Sequence, residues 1–183
     1  MTRTADRLAA PGIRSEVPGR SPAMLVIRHA LDSFDCKILN LIQSNNLLPC
    51  RRISELVSLS LPAVARRLQR LRKEGVIASD ISVLNQESVG APLTIIVHVS
   101  VQSEAVDQLD VMRERFMRCP QVQQCYYVTG EVDFVLIIIA RDMAEYEVLT
   151  RSLFFESGNV KHFRTFVAMQ RVKVSLRVPI SEP

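Results

Sequence analysis

No stretch of this 183-residue sequence is apolar for long enough to span a membrane. Its longest uninterrupted apolar run, Phe134 to Ala140, holds seven residues, against the roughly 20 that a spanning helix needs. Cys36, Cys50, Cys119 and Cys125 form no C-x-x-C pair, and His29, His98 and His162 stand singly. Spacing therefore offers no zinc site, and neither a metal nor a cofactor is expected. A continuous apolar signal core is missing from the N-terminal residues, so a cytoplasmic protein with reduced thiols is expected, a redox pair of Cys119 and Cys125 being the alternative. Nor does any Ser-His or Cys-His arrangement stand near the carboxylates of the segment TGEVDFVLIIIA, residues 129–140, which argues against acid–base or nucleophilic catalysis there.

What is present is enough apolar material for real cores, 48% of the residues, and a lopsided charge. Residues 1–30 carry five Arg against two acids, residues 31–80 eight Lys or Arg against five, and residues 81–183 ten against twelve. A cationic first half beside a near-neutral second half implies an anionic partner for the first half alone. Pro11, Pro18 and Pro22 and the lack of apolar periodicity make residues 1–30 a flexible tail.

From Leu31 the grammar becomes helical. Phe34, Ile38 and Ile42 recur every four residues behind Asp32 and Ser33, either of which can cap a helix. A turn at Asn45-Asn46 leads to a short segment, Pro49 to Val57, and then to SLPAVARRLQRLRKEG. There Ser60 is a good N-cap, Pro62 falls in the first turn, and Gly75 ends the helix. Val64, Leu68 and Leu71 make one apolar stripe, while Arg66, Arg70 and Lys73, with Arg67 beside them, make a basic face opposed only by Glu74. A short helix, a tight turn and a cationic helix form a helix-turn-helix, whose last helix enters the DNA major groove. The plainer alternative is a solvated helix face, but four exposed cations repel one another unless an anion compensates them.

After an extended segment, Ile77 to Leu84, and a linker, the pattern turns to strands. Leu93 to Val101 alternates; Glu104 to Met117 has helical spacing through Val106, Leu109, Met112 and Phe116. Val122 to Val128 and Val132 to Ala140 read as a hairpin about Thr129, Gly130 and Glu131; a helix follows over Met143 to Phe155 and a strand over Val160 to Leu176. This order is the split βαβ, ferredoxin-like βαββαβ unit, so the fold class is α+β. The expected division is a tail at 1–30, a DNA-binding domain at 31–80, a linker at 81–91, a ligand-binding and oligomerisation domain at 92–177 and a tail at 178–183.

The segments LDSFDCKIL, VSLSLPAVARRLQRLRKEGVI, VTGEVDFVLIIIA and RTFVAMQRVK, in that order, make the chain resemble the Lrp/AsnC family of transcription regulators over Leu31 to about Arg177. Ser58 stands where the family's turn usually has glycine, Pro49 stands where a capping residue is usual, and Leu61-Pro62 replaces a Pro-x-Pro-like opening. The resemblance implies a winged helix-turn-helix, a nucleoid-associated regulator, dimers built through the second domain and their assembly to tetramers or octamers. Double-stranded DNA is the expected partner, with Ser60, Ala63, Arg66, Arg67 and Arg70 facing the groove and Lys73 and Arg51 nearer phosphates. It also implies an amino acid or related small effector, held between dimers at Thr129, Gly130, Glu131 and Asp133, with Met169 or Gln170 reading its side chain. Left open beside this are hairpin-tip acids that only keep an edge soluble, an effector-independent architectural DNA organiser, and a decarboxylase-like enzyme on the same scaffold.

Overall fold

The computed structural model describes residues 30–181. The tail expected at 1–30 therefore falls, apart from Ala30, outside the described residues, as do the last two residues of the tail expected at 178–183.

Three helices come first: α1 (Ser33–Ser44), α2 (Cys50–Val57) and α3 (Leu61–Lys73). Asp32 caps α1 in a reciprocal capping box with Asp35, which satisfies two N–H groups that the first turn leaves unpaired. Pro49 opens α2 with no side-chain cap, and Ser60 caps α3 through the Ala63 N–H at 3.4 Å. Ile38, Ile53, Val57, Val64 and Leu68 close the core between the helices. Gly75, at φ +74, lies just beyond the C-cap of α3. The segment in the wing position then runs on to residue 92 without a strand of its own.

The second half alternates strand and helix: β1 (Leu93–Val101), α4 (Val106–Arg118), β2 (Val122–Tyr127), β3 (Phe134–Ala140), α5 (Met143–Leu153) and β4 (Val160–Val167). The strands form one antiparallel sheet in the order β2-β3-β1-β4. One face, carrying Ile95, Val97, Val99, Phe134, Leu136 and Ile138, is buried beneath Leu109, Met112 and Phe116 of α4 and Tyr146 and Leu153 of α5. The residues that point the other way, Ile96, Val135, Ile137 and Ile139, are only half-buried. Phe166, opposite Ile96, is 47% exposed.

Several expected boundaries move, each for a local reason. The last strand stops at Val167 and not at Leu176, because the Ala168 N–H bonds Thr94 O (2.9 Å) and β1 begins only one residue earlier, so the ladder has run out of partner. β3 starts at Phe134 and not at Val132, since the Asp133 N–H and carboxylate are both engaged at the end of β1. Helix α5 tightens into a 3-10 turn at Phe155–Ser157. Val106 is 72% exposed, as it occupies the first turn of α4 outside the buried stripe.

Past β4 the chain continues as an arm over residues 168–181 that returns to the first domain. Arg171 Nη1 donates to Gln86 Oε1 at 2.6 Å. Further along, the Gln43 side chain of α1 takes both backbone groups of Val178, donating to its carbonyl at 3.1 Å and accepting from its N–H at 2.7 Å. Asn40 Nδ2 donates to Ile180 O at 3.4 Å.

A candidate nucleic-acid interface and a candidate effector site

Helix α3 presents its apolar stripe, Val64, Leu68 and Leu71, to the core and so turns the rest of its surface outward. Ser60 and Arg66 are exposed, Ala63 is half-buried, and Lys73 is exposed on the same side as Arg66, two turns further on. Neither Arg66 nor Lys73 has an ion-pair partner among the described residues. Arg51, on α2, is 87% exposed at its side chain and 3.8 Å from Glu55.

Arg67 and Arg70 are placed differently. The sequence alone suggested an uncompensated basic face, but the fold brings acids of α1 against it. Arg67 Nη1 donates to Asp32 Oδ2 at 2.7 Å and to Asp35 Oδ1 at 2.8 Å, and Arg70 Nη2 donates to Asp35 Oδ2 at 2.5 Å. Arg67 also lies over the Phe34 ring, 5.6 Å from its centroid. The hydrogen bonds to Asp35, and then those to Asp32, raise the Arg67 pKa above its ordinary value. The Asp35 N–H and, after it, the Arg67 guanidinium hold the Asp32 carboxyl below its usual range. The argument from mutual repulsion therefore fails for these two arginines. Helical periodicity could not reveal partners more than thirty residues away, although one signal existed: Asp32 and Asp35 share the spacing of three that separates Arg67 from Arg70.

In the second domain, Thr129, Gly130 and Glu131 are exposed at the tip between β2 and β3, and Asp133 is half-buried. Gly130 sits at φ 125, where a side chain would be strained, so the tip geometry requires glycine. Asp133 is tied into the sheet: its N–H donates to Val99 O at 2.9 Å and its Oδ2 accepts from the Val101 N–H at 2.8 Å. The same end of the sheet carries a cleft of about 450 Å³, lined by Gln102, Phe155, Lys161, His162 and Phe163 among others. The sequence reading missed these residues; the Phe154-Phe155 doublet directly after α5 was the available signal.

Met169 and Gln170 do not join that site within one protomer. They lie past the end of β4 in a second cleft, beside Thr94 at the opposite end of β1, and Met169 is fully exposed. Thr94 and Val101 are seven strand steps apart, or roughly 23 Å. His98 and His162, isolated in the sequence, come onto the open face of the sheet, where Arg164 is the direct cross-strand partner of His98. Burial pushes the Cys125 thiol up to about 11, so it stays protonated at neutral pH and is a poor nucleophile.

Both halves of the chain match known families: residues 31–78 match the winged helix-turn-helix DNA-binding model and residues 94–178 the Lrp/AsnC ligand binding domain. An uncharacterised HTH-type transcriptional regulator of Sinorhizobium fredii is 44% identical over 150 residues, 82% of this chain and 89% of that protein. The leucine-responsive regulatory protein of Haemophilus influenzae is 34% identical over 79% of this chain and 87% of its own length. Among solved structures, a transcriptional regulator of Neisseria meningitidis in complex with L-Met aligns with a TM-score of 0.77 at 28% identity, covering 81% of this chain and 96% of that one.

Proposed function

The chain belongs to the Lrp/AsnC family of transcriptional regulators, and from that premise we propose that it binds specific DNA through α3 and answers to an amino acid. Ser60, Ala63 and Arg66 face the major groove, with Lys73 and Arg51 toward the phosphates; Arg67 and Arg70 stand behind that face, turned to α1. Arg66 grips guanine through a two-bonded fork, the commonest specific contact an arginine makes in the major groove. The observation that carries the reading is the outward face of α3, where Arg66 and Lys73 carry charge that no acid among the described residues neutralises.

The effector is taken at the tip of the β2–β3 hairpin. Backbone amides about Gly130 suit an α-carboxylate, and the carboxylate of Asp133 suits an α-ammonium. Thr129 and Glu131 flank them, and Met169 or Gln170 is supplied by a neighbouring protomer. The L-Met bound to the Neisseria relative supports an amino acid as the ligand class. Homodimers form over the open sheet face, where half-buried Ile96, Val135 and Ile137 await cover, and they assemble further to tetramers or octamers. One observation favours the alternative of an effector-independent DNA organiser: an Asp133 oxygen is already occupied by the Val101 N–H.

The test is fluorescence anisotropy at physiological salt on DNA from upstream of the protein's own gene and on random DNA, with and without each amino acid. The expected result is a preference for the upstream segment of at least about tenfold, modest against typical specific binders. Equal affinity for both DNAs under every condition overturns the reading. A thermal-shift screen separates the two variants of it, because a ligand that binds only the native state must raise the melting temperature. A flat screen across all amino acids favours the organiser.

A further inference from the structure

Asp35 is the only fully buried charged side chain among the described residues. A carboxylate out of water is tolerated only when it is paired and hydrogen-bonded, and both of its oxygens are occupied. Oδ1 accepts from Arg67; Oδ2 accepts from Arg70 and, at 3.3 Å, from the backbone N–H of Asp32. The two guanidinium groups come from adjacent positions on one side of the recognition helix, so a single buried anion fixes two points of α3 against α1. An apolar stripe is non-directional and lets a helix roll or slide by a fraction of a turn. Two charge-assisted bonds to one immobile acceptor do not.

We propose that Asp35 is a positioning residue for DNA recognition and that Arg67 is a strut of the reading head, not a phosphate contact. Asp35 sets the rotation of α3, and with it the direction in which Ser60, Ala63 and Arg66 point. Asp32 completes the clamp from the rim, since Arg67 Nη1 lies between its carboxylate and that of Asp35. Four of the five basic residues of α3 then fall into two groups: Arg67 and Arg70 hold the helix, while Arg66 and Lys73 face DNA; the fifth, Arg72, is paired with Asp80 at 2.7 Å. Arg70 is 41% exposed against 22% for Arg67, so the strut role is sharpest for Arg67. The inference rests on the DNA-binding reading and adds a division of labour to it.

Salt dependence separates the two groups. Each phosphate contact contributes about 0.9 to the slope of log K against log salt on duplex DNA. Affinity is measured from 50 to 300 mM salt for the full-length protein, using random DNA and the segment that the unmodified protein selects. Lys73→Gln, on the phosphate side, should flatten the slope by up to about 0.9 per half-site, whereas Arg66→Gln, which removes a base contact, should lower the ratio of specific to random affinity. Arg67→Gln should leave the slope within error of the unmodified protein while weakening specific binding several-fold. Asp35→Asn, which keeps the shape and removes the charge, should lower the ratio of specific to random affinity at least tenfold. It should also leave the slope unchanged or make it steeper, because the released guanidinium groups can reach phosphates.

A slope flattened by about 0.9 per half-site in Arg67→Gln would place Arg67 on phosphate and overturn the proposal. So would an Asp35→Asn protein, folded by circular dichroism, whose specific and random affinities fall in parallel, since that is loss of general affinity without loss of aim. If Asp35→Asn does not fold, the comparison of the Lys73→Gln and Arg67→Gln slopes decides alone. Absence of any DNA binding by the unmodified protein removes the functional reading and this inference together; a flattened Arg67→Gln slope removes the inference only.

Discussion

At Ser58 the backbone takes φ 56 and ψ 44, the left-handed region, and it is the only non-glycine residue with positive φ among the described residues. The turn between α2 and α3 needs that conformation, because the Ser58 N–H still closes α2 on Ser54 O while the Leu59 N–H returns to the same oxygen at 3.1 Å. A serine pays about 1 kcal/mol for the left-handed region relative to glycine. Ser58 is exposed, so no packing opposes its removal. Ser58→Gly should therefore stabilise the protein by up to about 1 kcal/mol, less what glycine loses through its freer unfolded chain. Urea unfolding should show it as a higher midpoint at unchanged slope; an unchanged or lower midpoint would mean that the turn gains from the serine side chain. This residue was legible in advance, since the glycine usual at that position in the family pattern announced a positive φ. Asp35 was not: an acid in the first turn of a helix reads as a capping residue, and only the folded arrangement shows that it is buried beneath two arginines.

Elements were legible where a single period ran unbroken. Helix α3 followed from Val64, Leu68 and Leu71, and β1 from its alternation, because both patterns record burial on one side. The C-terminal arm shows where this logic fails. Val172, Val174, Leu176 and Val178 alternate as a strand would, yet each is at least 61% exposed, and no β1 residue remains for them to pair with. Alternation records a preference for extended backbone, whereas a strand also needs a neighbour for its N–H and C=O groups. Gln43 supplies that neighbour at one point, its amide standing in for a strand at Val178. Each of the two exposed bonds stabilises by about 0.5 kcal/mol net, so Gln43→Ala, which removes both, should raise the open population of the arm by roughly fivefold. Limited trypsin digestion should then cleave after Arg177 and Lys173 about that much faster, with cleavage inside α4 unchanged. Equal rates in both proteins would show that the arm is held elsewhere, for instance by Arg171 at Gln86 and Glu87.

For the molecule as a whole, the two faces of the sheet differ in a way that one protomer does not resolve. The helix face is sealed, with Val97, Leu136 and Ile138 at 0% exposure. The other face sets Ile96 beside Ile137 and Phe166, with Tyr126 (51% exposed) opposite Val135. An antiparallel sheet that met water on this side would alternate apolar with polar residues, and β3 does not: Phe134 to Ala140 is apolar at every position. Such a strand belongs between two layers, and in the dimer proposed above the second layer comes from another copy, by a twofold arrangement in which each sheet covers the other. A stable interface of this kind removes about 1,600 Å² from water. Lysine in place of Ile137 would set an unpaired charge at its centre, where no acid on the same face can meet it and where the copy across the twofold brings a second one. Ile137→Lys should therefore sediment as a monomer at micromolar concentration where the unmodified protein sediments as a dimer or larger. Its folded signal by circular dichroism should be retained, because the residue is only half-buried in the single chain. Its affinity for a two-half-site DNA should drop to that for a single half-site, since two recognition helices tied to one body bind the second site at high effective concentration. A variant that stays dimeric would place the interface on another surface and leave the apolar run of β3 without a physical account.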